Sequence, residues 1–514
     1  MSSEDVVQTV RQGYAFTGAA LELGCLLSDG TPVTDAQIRV PLGMLNRHGL
    51  VAGATGTGKT KTLQLMAEQL SAKGVPVFMA DVKGDLSGVS QPGQPSDKLT
   101  ARTQSIGQSW QATGFPVEYL SLGGQGKGVP VRATITTFGP TLLAKVLDLN
   151  ETQTSSLSLV FHFADSAGLA LLDLKDLRAV IQYLISDEGQ ADLTGLGGLS
   201  KATAGVILRE LIAFADAGAE SFFGEPEFDT RDLLRTAPDG RGVITCLELP
   251  AVQDKPALFS TFLLWMLADL FHDLPEAGDL DKPKLVFFFD EAHLLFKDAS
   301  KAFSDQITQT VRLIRSKGVG VFFVTQSPKD VDADVLAQLG NRVQHALRAY
   351  TPDDAKALKA AVSTFPKSSY DLEELLTQLG IGEAVITVLS ERGAPTPVAW
   401  TRLRAPQSLM GPADAAAMAA QVQASPLHPK YGTPLDRESA YERLAAKLAP
   451  PPSAAPAPAS APRPAPAPRP EPERPSVVAE VVHSTAFKSF LRSAGTVLGR
   501  EITRSIFGTA RRSR

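Results

Sequence analysis

The sequence predicts an α/β fold with a doubly wound, mainly parallel sheet, on three observations. First, short apolar runs that read as buried strands recur between stretches of helical periodicity. They are Gly49-Leu50-Val51-Ala52, Val75 to Ala80, Gly242 to Leu247, Leu285 to Phe289 and Val321 to Thr325. Strands that alternate with helices pair in parallel, because each crossover helix returns the chain to the same end of the sheet. Second, the string Gly53-Ala54-Thr55-Gly56-Thr57-Gly58-Lys59-Thr60 lies between the first of these strands and a helix-spaced stretch from Lys61 to about Leu70. Third, from Pro140 to about Arg235 the spacing turns helical with few β-branched runs, as expected for an all-helical subdomain inserted into the α/β unit.

Composition sets outer bounds. A chain of 514 residues suggests two folded units plus linkers. Its 43% hydrophobic and 20% charged content is that of a globular protein. A formal net charge of −5 excludes coating nucleic acid by bulk charge, yet leaves room for a local basic channel. The two cysteines, Cys25 and Cys246, are far apart in sequence, as in a reducing cytoplasm. The histidines show no pair at metal-site spacing. Met1-Ser2-Ser3-Glu4-Asp5 lacks the basic and apolar regions of a secretory signal. The most apolar window, Ala257 to Phe271, contains Ser260, Thr261 and Asp269 and is shorter than the ~20 residues of a bilayer span. It reads as a buried helix, so no integral membrane segment is expected and the expected location is cytoplasmic.

The elements follow in order. Tyr14 to Phe16, Ala20 to Leu23 and Ile38 to Val40 read as short strands divided by turns such as Ser28-Asp29-Gly30, a β-rich segment over 1–45. Residues 46–139 form the first part of the core. In it, Val75 to Ala80 ends in Asp81-Val82-Lys83-Gly84-Asp85, charged residues at the carboxyl end of a parallel strand, where doubly wound folds bind ligands. Gln91 to Gln108 reads as loop, while Val117 to Leu120 and Val131 to Thr137 resume strand character. The helical insertion occupies 140–240, and the second part of the core 241–405, with further strands at Val343 to Leu347 and Ala384 to Leu389. A helical extension follows over 406–449. Pro, Ala and Arg dominate 450–475, a composition that cannot bury a core and predicts an extended linker. Residues 476–514 recover helical spacing at Phe487, Phe490, Leu491, Val497, Leu498, Ile502 and Ile506, with Lys488, Arg492, Arg500, Arg504, Arg511, Arg512 and Arg514 on the same segment. This basic amphipathic tail suits a protein partner, phosphates or an anionic surface.

The Gly53–Thr60 string has the form G-x-x-x-x-G-K-[ST], which cradles a polyphosphate. Its glycines allow turns that a side chain would block, so successive N–H groups from Gly53, Ala54, Thr55, Gly56, Thr57 and Gly58 point inward, followed by those of Lys59, Thr60 and Lys61 at a helix N-terminus. Lys59 places a charge among the outer phosphates, and the Thr60 hydroxyl can ligate Mg²⁺. The apolar strand ending in Asp290-Glu291 supplies a second Mg²⁺ contact at Asp290 and a general base for water at Glu291. A strand ending in Asp-Glu is also a common capped turn; the upstream phosphate loop favours the chemical reading. Gln326, ending the strand Val321 to Thr325, can sense the γ-phosphate or hold the water, against the simpler reading of an ordinary loop amide. Additional positive charge is expected from Arg47, Arg315 or Arg312, and Asp81 and Asp85 can tune the site. His293 reads more simply as a structural histidine than as a link to a partner surface.

These motifs resemble the HerA-like bacterial ATPases: Asn46 to Thr60, Asp81-Val82-Lys83-Gly84-Asp85 and Asp290-Glu291-Ala292-His293. More closely, Phe222-Phe223-Gly224-Glu225-Pro226, Leu379-Gly380-Ile381-Gly382-Glu383-Ala384 and Arg500-Glu501-Ile502-Thr503-Arg504 resemble the branch labelled HerA-like helicase, C-terminal domain. The resemblance covers nearly the whole chain apart from the Pro/Ala linker. It implies a RecA-like P-loop NTPase fold of the HerA/FtsK group, whose motors commonly act as hexameric rings on duplex DNA. It further implies ATP bound between subunits, Glu291 as base, Gln326 as sensor, and an arginine from a neighbour at the position of Arg47 or Arg315. One departure is that the roughly 45 residues before the loop are too few for the full N-terminal β-barrel of HerA proteins. An ATPase acting on protein or in conjugation or secretion, and a nucleotide-dependent scaffold, share every motif above.

Overall fold

A computed structural model describes residues 2–448 apart from 279 and 297–299. The linker expected at 450–475 and the basic tail at 476–514 lie outside the described residues. Twelve strands are present among them: β1 (Ala20–Ser28), β2 (Thr31–Pro41), β3 (Gly49–Ala52), β4 (Val77–Asp81), β5 (Val117–Leu122), β6 (Val129–Val131), β7 (Ile244–Glu248), β8 (Leu285–Phe289), β9 (Val319–Thr325), β10 (Asn341–Gln344), β11 (Glu383–Thr387) and β12 (Ala399–Leu403). They form one sheet in the order β2-β1-β12-β11-β10-β3-β9-β8-β4-β7-β5-β6. From β10 through to β6 every neighbouring pair is parallel; from β10 back to β2 every pair is antiparallel. The parallel part is the doubly wound sheet that the strand–helix alternation predicts.

Both faces of that part are covered, which explains why its strands are apolar throughout rather than alternating. On β8, Leu285, Phe287 and Phe289 enter one core, and Val286 and Phe288 enter the other. On β9, Val321 and Phe323 face the first, and Phe322 and Val324 the second. Cross-strand ring pairs tie the two strands, with Phe289 and Phe323 5.6 Å apart between centroids and Phe288 and Phe322 5.3 Å apart.

The N-terminal β-rich segment is no separate lead-in. β1 pairs with β12 and so extends the sheet itself. It is also preceded by a helix that the strand-like reading missed, α1 (Ser3–Gly13), started by a capping box between Ser2 and Asp5. Tyr14 to Phe16 is therefore the exit of a helix, not a strand. The Gln91 to Gln108 stretch, read as loop, contains α3 (Asp97–Ser105), capped by Ser96; the phosphate-loop helix α2 (Lys59–Ala72) precedes it. The strand expected over Val131 to Thr137 ends at Val131, and α4 (Ile135–Val146) begins where the Thr134 hydroxyl caps the Thr137 N–H.

Between β6 and β7 the chain is helical: α4 is followed by α5 (Glu151–Ser166), α6 (Leu174–Leu184), α7 (Asp187–Asp192) and α8 (Lys201–Asp216). Their apolar faces join the core beneath one face of the sheet, with Leu157, Leu177, Ile181 and Leu211 buried in it. After β7, α9 (Pro256–Asp273) buries Leu258 to Leu267 almost without interruption. No helix among the described residues is long and apolar enough to cross a membrane. After β12, three helices run at Ala415–Gln423, His428–Tyr431 and Ala440–Leu448. Tyr431 of the second is fully buried, its hydroxyl donating to Asp232 at 2.6 Å.

Candidate nucleotide site

The phosphate loop follows β3 and opens α2. Its glycines are required by geometry. Gly56 and Gly58 sit at φ +81° and +117°, backbone that L side chains rarely adopt. A Cβ on Gly53 would lie 2.4 Å from the Cβ of His345, so the loop can approach β10 only without a side chain there. The loop is pinned from several sides. Gly53 N–H donates to Thr325 O at 3.2 Å, Ala54 N–H to Ala346 O at 2.8 Å, and Gly382 N–H to Thr57 O at 2.9 Å. Lys59 is 8% exposed, and its ammonium donates to Ala54 O at 3.2 Å, across the space the loop encloses. Burial lowers its affinity for the proton, with Glu291 and Asp290 opposing that shift. The first turn of α2 carries Thr60 and Lys61, and Lys61 reaches Gln64 at 3.4 Å.

The sheet order places β9 directly beside β3 and β8 on the far side of β9, with Ala52 level with Thr325 and Phe289 level with Phe323. The carboxyl ends of three adjacent strands thus meet, where parallel sheets bind ligands. β8 delivers Asp290 and Glu291, and β9 delivers Gln326. Glu291 has φ +49°, an uncommon left-handed conformation for this residue type. Its carboxylate is 6% exposed. One oxygen is ion-paired with Lys83. The other lies 3.2 Å from His293 Nδ1, without hydrogen-bond alignment, and accepts from Gln326 Nε2 at 3.5 Å. Burial alone would raise the Glu291 carboxyl, but His293 and Lys83 outweigh it and hold it at about 2. Asp290 is pushed the other way, to about 7, by burial and by the neighbouring Glu291 and Asp85 carboxylates. Its Oδ2 is buried with no hydrogen-bond partner. A buried carboxylate oxygen without a donor, in a site where Asp290 acts on the charge of Lys59 at the start of α2, fits a divalent cation. Thr60 and Asp290 are the residues that would hold it, and hard oxygen donors of this kind suit Mg²⁺.

β4 lies beyond β8 and brings the Asp81–Asp85 loop to the same edge. Asp81 does not face the pocket as a free acid. It accepts the N–H groups of Gly84 at 2.7 Å and Leu86 at 2.9 Å, which shapes the loop that presents Lys83. Burial pushes Asp81 up to about 6. Register also brings it beside Cys246 and Glu248 on β7, a buried trio that the spread of these residues in sequence does not suggest. The Cys246 thiol donates to Glu248 at 3.4 Å, and both cysteines are free and buried.

The candidate arginines are elsewhere. Arg47 precedes β3 and Arg315 precedes β9, so both sit at the amino ends of strands whose carboxyl ends carry the pocket. With ~3.3 Å per strand residue, the four residues of β3 alone separate Arg47 from the loop by roughly 13 Å. Arg312 is exposed on the helix Lys301–Ile314 that leads to Arg315. Arg47 and Arg315 thus emerge at the end of the sheet opposite the phosphate loop. Arg47 and Arg315 instead flank the buried His48.

Sequence reasoning passed over three groups. Lys83 lay inside a charged string noted only as a whole. His345, at the end of β10, was one scattered histidine; here its Nε2 lies 2.9 Å from the Thr62 hydroxyl and backs the loop. Arg348 points Nη2 toward Thr55 O at 3.5 Å and, with Ala54, Gln326 and Tyr350, lines a cavity of about 400 Å³ beside the loop. A larger cavity of about 650 Å³ lies among the inserted helices, but Asp165, Glu225 and Glu227 on its wall disfavour a polyphosphate.

His48 and His345 make a pH prediction. Burial presses their imidazoles from 6.5 to about 4 and about 3. As pH falls, the unfolded chain takes up these protons first, so their contribution is full above about 6.5 and is lost between there and about 4 for His48 and about 3 for His345. At pH 5 each histidine costs about 2 kcal/mol. Asp290 and Asp81, raised to about 7 and about 6, take up protons in the folded state over the same window and oppose this loss. The readout is therefore a difference in thermal melts: from pH 7 to pH 5 the wild type should lose stability relative to His48→Gln, and an unchanged slope in that variant would remove His48 from the account.

The family model described as Helicase HerA-like C-terminal matches residues 27–514. The DNA double-strand break repair helicase HerA of Sulfolobus acidocaldarius is 21% identical over 391 residues, 75% of this chain and 69% of that protein. The protein of the same name from Sulfurisphaera tokodaii is 23% identical over 383 residues, 71% of this chain and 68% of its own. Among solved structures, the plasmid coupling protein TrwB in complex with the non-hydrolysable GTP analogue GDPNP superposes with a TM-score of 0.51 at 16% identity, covering 80% of this chain and 95% of that one. TrwB in complex with ADP and Mg²⁺ gives 0.50 at 17% identity over the same shares. At such identity the likeness is one of fold. With a family match over most of its length, and a phosphate loop facing an acidic strand end across adjacent strands, the chain belongs to the HerA-like helicase C-terminal family and is a P-loop ATPase.

Proposed function

We propose that the chain is a Mg²⁺-dependent, ATP-hydrolysing motor that works as a ring of copies, six in number, on duplex DNA in the cytoplasm. The supporting observation is the split of the site. The loop, Asp290, Glu291 and Gln326 converge at one edge of the sheet, while Arg47 and Arg315 lie at the other. In this reading Gly53 to Lys61 bind the triphosphate, with Lys59 on its outer phosphates. When bound, Mg²⁺ held by Thr60 and Asp290 supplies charge neutralisation at the phosphate oxygens. Glu291 accepts a proton from the attacking water, whose oxygen bonds to the γ-phosphorus as the bond to the β–γ bridging oxygen breaks, giving ADP and inorganic phosphate. Gln326 orients that water. Arg47 or Arg315 of an adjoining copy completes the charge balance, because an arginine at the amino edge of one subunit can face the carboxyl edge of the next. The two buried free thiols accord with a reducing compartment.

A second reading, an ATPase that acts on protein or in conjugation or secretion, draws on the fold shared with a plasmid coupling protein. One experiment separates the two: ATPase rate with and without duplex DNA, together with native mass. A DNA motor should show several-fold stimulation that weakens with salt, in a species of six copies. DNA-insensitive turnover by a monomer would overturn the first reading.

A further inference from the structure

The geometry points to Lys83 as a positioning residue that couples Glu291 to the γ-phosphate: it holds the carboxylate while the pocket lacks a triphosphate and transfers its ammonium to the γ-phosphate when ATP arrives. This rests on the assignment of Glu291 as base in the preceding reading, and deepens it.

Three observations carry it. First, the backbone that presents Lys83 is fixed. Asp81 is fully buried and accepts two N–H groups of the turn, and Gly84 at φ +76° lets the chain reverse there. The side chain is not fixed in the same way, being 48% exposed. Second, both oxygens of Glu291 already face polar partners: Lys83 at one, Gln326 and His293 at the other. A water approaching the γ-phosphate therefore finds the base engaged. Third, the other ammonium in the pocket is also docked on the protein, Lys59 on Ala54 O. A triphosphate adds several negative charges to a site whose lysines are held by one carboxylate and one carbonyl. The loop N–H groups and Lys59 serve the inner and outer phosphates alike. Lys83, presented from β4 on the far side of Glu291, has only the terminal phosphate to gain. Its transfer releases Oε1 to accept the water proton, and ADP, lacking that phosphate, leaves the pair closed.

The consequence is a difference between two ligands rather than a general loss. Lys83→Met keeps the length of the chain and removes the charge. It should bind ADP as the wild type does but lose about tenfold of the preference for ATPγS over ADP, the size of one charge-assisted contact. Lys83→Arg should restore most of it. Glu291→Gln, which frees Lys83 in the empty pocket, should keep or raise the preference for ATPγS, and adding Lys83→Met should remove that gain, a non-additive pair. A residue that merely supports the fold would shift both ligands together. An unchanged ATPγS-to-ADP ratio in a Lys83→Met protein that melts like wild type overturns the proposal. If the wild type itself binds neither nucleotide, the site reading fails instead, a different result.

Discussion

Lys59→Ala is expected to abolish nucleotide binding at working concentrations, with a loss of roughly a hundred- to a thousand-fold in affinity, the worth of about two charge-assisted contacts to phosphate. The side chain is almost fully buried and points across the loop to Ala54 O, so an incoming phosphate meets it directly. Ala at this position keeps the helix α2 and leaves the glycine turns untouched. Stability should therefore be retained, because removing a buried charge that is poorly compensated costs a fold little. A titration with a fluorescent ATP analogue alongside a thermal melt reads both quantities. Wild-type affinity in the variant would mean that the loop is a structural turn.

Glu291→Gln has the opposite profile. Turnover should fall by about a hundred- to ten-thousand-fold, the range over which a positioned base contributes, while ATP is still bound. Gln is isosteric, so the left-handed backbone at φ +49° and the approach of Gln326 can persist. What is lost is the carboxylate that accepts the proton, and with it the ion pair to Lys83. Single-turnover measurements separate binding from chemistry here. Normal turnover in this protein would assign the base elsewhere, with His293 the nearest alternative.

Much of the site was legible because its residues are local in sequence. A phosphate loop needs a strand, two or three glycines in fixed places, a lysine and a helix, and all lie within Gly49 to Leu70. The pair Asp290-Glu291 was legible for a related reason: five apolar residues followed by two acids mark a buried strand end, and the phosphate loop upstream tips that end from a capped turn to chemistry. Lys83 was not, since its importance comes from a contact 208 residues away in sequence. His345 was missed because a single histidine after a strand carries no spacing signal. The missed helices α1 and α3 depended on capping by Ser2 and Ser96, short signals that strand-like residues nearby obscured.

Local pattern by itself determined the doubly wound core, the nucleotide loop and the acidic strand end. Each of these is written in consecutive residues, where backbone sterics and burial act over a few positions. Only the tertiary structure decided how the strands are ordered. That order sets β9 beside β3 and β8 beside β9, joins β1 and β2 to the sheet through β12, and puts Lys83 against Glu291. The separation of Arg47 from the phosphate loop is local instead, since residues before and after β3 must emerge at its opposite ends. Strand order is settled by which faces can be buried together, a property of the whole sheet that no single segment carries.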